Sequence, residues 1–247
     1  MTTSKPIALV TGGSRGIGRA IVGELSKTHD VVGTYNSNRR AAESVAASTG
    51  AIMLPCQLGD LDSCHRLFES VKQRFPAVHL LINNAAMASR ERRDILDATP
   101  DSLDEILAAN LKGPYFLTQQ IARWMLEGHS GRIVFVGSIS SFTASVNRGE
   151  YCMAKAALSM AVKLFAARLA GNGIPVFEIQ PGIIRTDMIA PALAAYEEKI
   201  SQGLLPQRRM GEPVDVANAV RAIADGKLDY CTGQVIHVDG GFHLRIL

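Results

Sequence analysis

Cysteine, net charge and long apolar runs are all scarce in this chain, and each scarcity closes off a class of function. Only four cysteines occur in 247 residues, Cys56, Cys64, Cys152 and Cys231, and none is paired at close metal-binding spacing. They read as small packing residues kept reduced, with no metal site expected; Cys152, beside Tyr151, is open to a second reading as an oxidisable thiol. Twenty-six basic residues are interspersed with 23 acidic ones for a net charge of +3, too weak a field to select nucleic acid or an anionic membrane. No apolar run reaches the roughly 18 residues of a spanning helix, and residues 1–6 carry no charged-then-apolar leader. Repeats, low-complexity tracts and linkers are missing as well. The expectation is a soluble, cytoplasmic protein with one α/β domain over residues 1–247.

What the chain does contain is an alternation of short apolar strands with amphipathic segments. Ile7-Ala8-Leu9-Val10 reads as a buried parallel strand that stops at Thr11-Gly12-Gly13-Ser14-Arg15-Gly16-Ile17-Gly18. A helix from Gly18 to Leu25 and a strand at Val31–Thr34 complete a βαβ unit. Glycines 12, 16 and 18 permit a tight turn and close approach of backbone to a pyrophosphate, which would lie on the N-terminus of the helix. A glycine pattern alone fits an ordinary strand-to-helix turn equally well. Strand, loop and helix in this order favour a nucleotide.

A second constellation lies at Ser138 to Lys155. Tyr151 and Lys155 are four residues apart, so on a helix they share one face. A free phenol titrates near 10, and acid–base work near neutrality needs about 4 kcal/mol from neighbouring positive charge. A lysine one turn away is such a charge. The spacing is common by chance, so its meaning depends on the nucleotide loop in front of it. The strand Arg132–Gly137 delivers Ser138 to the sheet edge where ligands bind.

These motifs, with Asn83-Asn84-Ala85 after the fourth strand, Asn110 in Asn-Leu-Lys-Gly, Pro181-Gly182 with Thr186, and the closing Val238-Asp239-Gly240-Gly241, resemble the short-chain dehydrogenase/reductase family over nearly the whole chain. The resemblance implies a Rossmann-type, doubly wound, seven-stranded parallel sheet with helices on both faces. It also implies a nicotinamide cofactor and reversible hydride transfer between a carbonyl and a secondary alcohol. In that scheme Ser138 holds the substrate oxygen, Tyr151 donates the proton, and Lys155 assists Tyr151 and binds the ribose. Asn110, in the middle of a long helix over Asp101–Glu127, holds a water that relays protons to Lys155; stabilising a helix kink is its alternative reading.

The cofactor residues implied are Gly12, Ser14, Arg15, Gly16, Ile17 and Gly18 at the loop, Asn84 and Ala85 on the nicotinamide side, and Pro181, Gly182, Ile184 and Thr186 at the carboxamide. Adenine would meet Gln57 and Leu58, where the family usually has an aspartate. After the second strand an NAD enzyme places a carboxylate. Here the chain reads Tyr35-Asn36-Ser37-Asn38-Arg39-Arg40, so Arg15, Asn36 and Ser37 favour the 2′-phosphate of NADP(H) over NAD(H). Arg39 and Arg40 either assist or begin a solvated helix.

Substrate residues are less defined. Arg148 is the only cation between Ser140 and Glu150, and reads either as a partner, with Ser140, for an anionic substrate or as a salt bridge to Glu150 or another surface acid. Arg90, Arg92 and Arg93 read first as a solvated loop and second as an anion-binding rim. Residues 187–211 are expected to form a lid. The overall pattern is most like 3-oxoacyl-acyl-carrier-protein reductases, yet Leu126-Glu127-Gly128-His129 and Ala170-Gly171-Asn172 lack the basic residues such enzymes present to a carrier protein. A small free ketone is therefore an equal expectation. The family also implies a homotetramer, and a non-catalytic cofactor sensor is the alternative of a different class.

Overall fold

Ile7, Ala8, Leu9 and Val10 are all without exposed surface, as a strand covered on both faces must be. Ile7 and Leu9 join one core layer, whereas Ala8 and Val10 join the other, because side chains alternate along a strand. In the computed structural model, which describes residues 5–245, this is β1 (Ile7–Val10) of a parallel sheet. The elements that follow are α1 (Gly16–Leu25), β2 (Asp30–Tyr35), α2 (Arg39–Thr49), β3 (Ile52–Pro55), α3 (Leu61–Lys72), β4 (Leu80–Asn83), α4 (Pro100–Leu107), α5 (Gly113–Gly128), β5 (Arg132–Val136), α6 (Gly149–Leu169), β6 (Val176–Pro181), α7 (Leu193–Ser201), α8 (Pro213–Ala224) and β7 (Val235–Val238). The strand order is β3-β2-β1-β4-β5-β6-β7, every pair parallel. This is the expected doubly wound, seven-stranded Rossmann-type sheet; residues 1–4 and 246–247 of the expected span lie outside the described part. No helix of the described residues is long and apolar enough to cross a membrane.

Phe135 and Phe177, both fully buried, sit on opposite faces and anchor the two layers. Burial of such a side chain contributes about 1.5–3 kcal/mol. The order reverses between β1 and β4, which opens a crevice at the carboxyl ends of these strands.

The long helix expected over 101–127 is interrupted. Between α4 and α5 the backbone widens into a π-helical segment, Ala108–Lys112, with Asn110 at its centre. The causes are local and tertiary together. Pro114 supplies no N–H to the preceding turn, and Gly113 lies so close to β3's outgoing loop that a Cβ there would meet the Leu58 carbonyl oxygen at 1.9 Å. The Asn110 amide meanwhile bridges the Met87 main chain, accepting its N–H at 2.7 Å and donating to its C=O at 2.8 Å.

One packing expectation needs correction. Cys56 and Cys64 are buried, but Cys231 is exposed in a short turn before β7 and packs in no core. On α6, Phe165 lies against the core and stacks on Phe135, whereas Met160 is 54% exposed.

At the start of α8 the Asp215 carboxylate accepts the Glu212 N–H at 2.7 Å and pairs with Arg209. The Arg209 guanidinium, then the Glu212 N–H, hold the Asp215 carboxyl below its ordinary value of 3.8. Its folded pKa is depressed, so its stabilisation is present above about pH 4 and is lost as pH falls through the folded value. Asp215→Ala is expected to cost about 1 kcal/mol in urea unfolding at pH 7, with the difference from the parent protein shrinking as the pH is taken below 3.8.

Candidate functional site

The crevice at the ends of β1 and β4 is a cavity of ≈ 1000 Å³. Its floor is knitted by side chains that the strands deliver. The Thr11 hydroxyl accepts the N–H groups of Asn84 and Ala85 at 3.0 and 3.1 Å, and the Asn84 amide donates to the Thr11 and Gly12 carbonyls at 2.9 and 3.2 Å. A Cβ on Gly18 would lie 2.0 Å from the Gly12 oxygen and 2.5 Å from the Asn84 nitrogen, so only glycine allows this approach. Gly16 has φ +52°, a left-handed conformation that glycine adopts without cost. The N-terminus of α1 then opens on the cavity with no acidic residue in its first turn.

This cradle fits the pyrophosphate of a dinucleotide: unhindered backbone, free helix N–H groups and a cationic rim. Arg15 is exposed at the cavity edge with no acidic partner among the described residues. Tyr35 and Asn36 line the cavity beside it, and no carboxylate follows β2. Ser37 is exposed but does not line the cavity. Asn38 caps α2 and Arg39 pairs with Glu43 along that helix, so of the two expected readings of Arg39 its contacts match the solvated helix start. Gln57 and Leu58 line the cavity. Gln57 also donates its main-chain N–H to Ser63, while the nearest following acid, Asp60, is spent capping α3.

On the far side, Pro181, Gly182, Ile184 and Thr186 border the cavity after β6. A Cβ on Gly182 would meet the Asp239 Cα at 2.6 Å, and one on Gly16 would meet the Thr186 methyl at 3.3 Å, so this turn closes over the glycine loop.

The reactive end is built from β5 and α6. Ser138, Ser140, Arg148, Tyr151 and Lys155 all face the cavity. Tyr151 is 5% and Lys155 2% exposed. The Lys155 ammonium donates to the Val136 carbonyl at 2.8 Å and stands 5.7 Å from the centroid of the Tyr151 ring. The Ser138 hydroxyl accepts the Ser140 N–H at 3.1 Å and caps the short 3-10 turn Ile139–Ser141. A buried phenol with a cation on one side and a hydroxyl-bearing turn across the cavity can move a proton to or from a carbonyl oxygen.

Arg148 does not pair with Glu150. Its guanidinium carbon stacks on the Tyr151 ring at 4.4 Å from the centroid, while Glu150 is buried and accepts the Ser102 hydroxyl at 2.7 Å, tying α6 to α4. Arg90 also borders the cavity but is neutralised by Glu105; Arg93 pairs with Glu91. Asn110 is 1% exposed and behind the cavity wall, its side chain spent on Met87. Pro114, lacking an N–H, gives the π-helical turn before it no intrahelical donor.

Thr143 and Ser145 reach the cavity from the turn before α6, and Tyr196 and Lys199 reach it from α7, within the segment 187–211 expected as a lid; none of the four was singled out by a motif. Phe242, from the C-terminal segment, was not anticipated, and no spacing in the sequence signals it. Near Phe242, ligand atoms of His237, Asp239 and His243 lie within 4.8 Å of one another. The two imidazole planes stack at 15° and 4.2 Å, so their in-plane lone pairs do not converge, and Asp239 already accepts the N–H groups of Gly241 and His243.

With this geometry in place, three comparisons bear on the chain. A family profile described as enoyl-(acyl carrier protein) reductase matches residues 12–243. The 3-oxoacyl-[acyl-carrier-protein] reductase FabG of Haemophilus influenzae is 36% identical over 96% of this chain and 98% of its own length, and its namesake in Aquifex aeolicus is 35% identical over 95% and 96%. A crystal structure of a 3-oxoacyl-[acyl-carrier protein] reductase from Brucella melitensis in complex with NAD superposes with a TM-score of 0.94 at 37% identity, covering 100% of both chains.

Proposed function

The chain belongs to the short-chain dehydrogenase/reductase family, and from that premise we propose that it is an NADP(H)-dependent oxidoreductase that reduces a ketone to a secondary alcohol. The observation that carries the reading is the buried Tyr151–Lys155 pair on one face of α6, opening on the same cavity as the glycine cradle.

When bound, the cofactor supplies the hydride. The protein's part is orientation and proton handling. The Ser138 hydroxyl holds the substrate oxygen, and the Tyr151 hydroxyl gives its proton to that oxygen as negative charge develops there. Lys155, fixed by the Val136 carbonyl, keeps positive charge beside the phenol and holds the ribose hydroxyls. Asn110 acts through the main chain of its π-helical turn, supporting a water that returns protons towards Lys155. Arg15 and Asn36 select the 2′-phosphate by charge-assisted hydrogen bonds where NAD enzymes carry an acid. Gly12, Ser14, Gly16, Ile17, Gly18, Tyr35, Gln57, Leu58, Asn84, Ala85, Pro181, Gly182, Ile184 and Thr186 complete the cofactor site. Cells keep NADPH reduced, which sets reduction as the direction.

A 3-oxoacyl thioester is the first substrate class, since the relatives of nearly full length carry that name. A small anionic ketone is the second, favoured by Arg148, which lies on the Tyr151 ring within the cavity, with Ser140 beside it. Residues 187–211 form the lid over either one, bringing Tyr196 and Lys199 to the cavity, and the protein works in the cytoplasm as a single domain. It assembles as a homotetramer: Met153, Met160 and Leu164 present an apolar strip on the outward side of α6, more than half exposed, beside Phe116 of α5.

Tyr151→Phe is expected to lose about a thousandfold or more in kcat on ketones while binding NADPH as before by fluorescence titration; near-normal turnover would remove the assignment. Arg15→Ala should raise the KM for NADPH about 10- to 100-fold and leave that for NADH unchanged, the signature of a lost charged hydrogen bond to phosphate. Light scattering should return a mass four times that of the chain, and a monomer would exclude the α6 interface.

A further inference from the structure

Behind the catalytic strip runs a buried polar chain that the chemistry above does not use. Glu178 on β6 has no exposed surface, yet among the described residues no cation meets its carboxylate. Its Oε1 accepts the Ser159 hydroxyl at 2.7 Å and the Gln180 amide at 2.9 Å. Gln180, 4% exposed, donates its other amide hydrogen to the Ser141 hydroxyl at 2.8 Å, and Ser141 donates in turn to the main-chain oxygen of Ser138 at 2.8 Å. The Gln180 amide is the branch point: one of its hydrogens goes to Ser141 and so to the Ser138 turn, and the other goes to the carboxylate, which also accepts Ser159. Ser159 lies one turn beyond Lys155 on α6. The chain therefore joins the two segments that carry the reacting groups, through a strand that carries none of them.

The fit is close. A Cβ on Gly137, the residue before Ser138, would lie 2.1 Å from the Glu178 Oε1, so the carboxylate is pressed against the backbone of the serine turn. The arrangement is also costly: Glu178 Oε2 and Gln180 Oε1 are buried without a partner. An apolar pair in the same two positions of β6 would avoid that desolvation. Phe177 and Ile179, which point to the other face, are apolar and fully buried. The polar residues thus stand only on the face that touches the catalytic helix.

We propose that Glu178 and Gln180 are positioning residues, which set the Ser138 turn against α6 by the Ser138–Ser141–Gln180–Glu178–Ser159 chain and so fix the serine hydroxyl relative to Tyr151. The proposal rests on ketone reduction as the activity. Misplacement of a reacting group by about 1 Å costs up to 10²-fold in rate, so loosening the turn reads out in kcat and leaves cofactor affinity alone.

Ser141→Ala cuts the chain without touching Glu178, Gln180→Ala cuts it and also removes one donor to the carboxylate, and Glu178→Gln retains an acceptor at Oε1 where Glu178→Ala does not. Ser141→Ala, Gln180→Ala and Glu178→Ala are expected to lower kcat about tenfold or more, with KM for NADPH within about twofold. Glu178→Gln should recover most of the rate. Hydrogen exchange over residues 137–143 should quicken about tenfold in the same three variants, while exchange in β1 and β4 stays as in the parent. Parental kcat in both Ser141→Ala and Gln180→Ala overturns the proposal, as does unchanged exchange at 137–143, or faster exchange with no loss of rate. A parent protein that reduces no ketone would instead sink the assigned activity, and the exchange comparison would still decide whether the chain holds the turn.

Discussion

The hydrogen bonds between Thr11 and the Asn84-Ala85 main chain, returned by the Asn84 amide to the Thr11 and Gly12 carbonyls, set the separation of β1 and β4 where the strand order reverses. Everything in the cavity is placed relative to that junction. The glycine loop can be as tight as it is because Gly18 lets the helix backbone lie against the Gly12 carbonyl and the Asn84 nitrogen. The N-terminus of α1 then faces the ends of β4 and β5, and the chemistry of Ser138 and α6 is brought opposite a cradle with no acidic residue in its first turn. A crevice of this kind is a property of the doubly wound sheet. Its use depends on which side chains the strand ends deliver.

Charge in and around the cavity is divided between groups that are neutralised and groups that are left available. Arg90, Arg93 and Arg185 are matched by Glu105, Glu91 and the Glu197–Glu212 pair, in exposed contacts that contribute little to stability. Arg15 and Arg148 have no such partner among the described residues, and Lys155 is held by a carbonyl, which leaves its charge intact. The two buried acids near the reacting groups both meet neutral donors: Glu150 accepts the Ser102 hydroxyl, and Glu178 is satisfied on one oxygen by Ser159 and Gln180. Positive potential is thus concentrated where a phosphate, a ribose and a developing oxyanion would lie.

Much of this was legible from short patterns. The alternation of Ile7–Val10 and its neighbours with amphipathic segments indicated a parallel sheet, and the glycine loop, Ser138 and Tyr151-x-x-x-Lys155 indicated the cavity, because these depend on local spacing. Where the reading failed, a distant contact had intervened. The long helix over 101–127 broke at Asn110 because Gly113 packs on Leu58 and the Asn110 amide is captured by Met87, neither of which periodicity can register. Arg148 was left between an anionic substrate and a salt bridge to Glu150 or another surface acid; Glu150 is buried against Ser102, 48 positions away, and no other acid pairs with Arg148 among the described residues. Cys231 looked like a packing residue by type and proved exposed.

The sequence by itself determined the order of strands and helices, the glycine cradle and the catalytic strip, since strand burial, turn geometry and i,i+4 proximity are set by neighbours along the chain. Only the tertiary structure decided which side chains from β6, α7 and the C-terminal segment meet the cavity, and that Glu178 and Gln180 stand behind Ser138. Strand register carries that information: Phe135 pairs with Glu178, so the residue two beyond on β6, Gln180, lies level with the Ser138 turn. Register is fixed when whole faces of the sheet are buried together, a condition no single stretch of sequence contains.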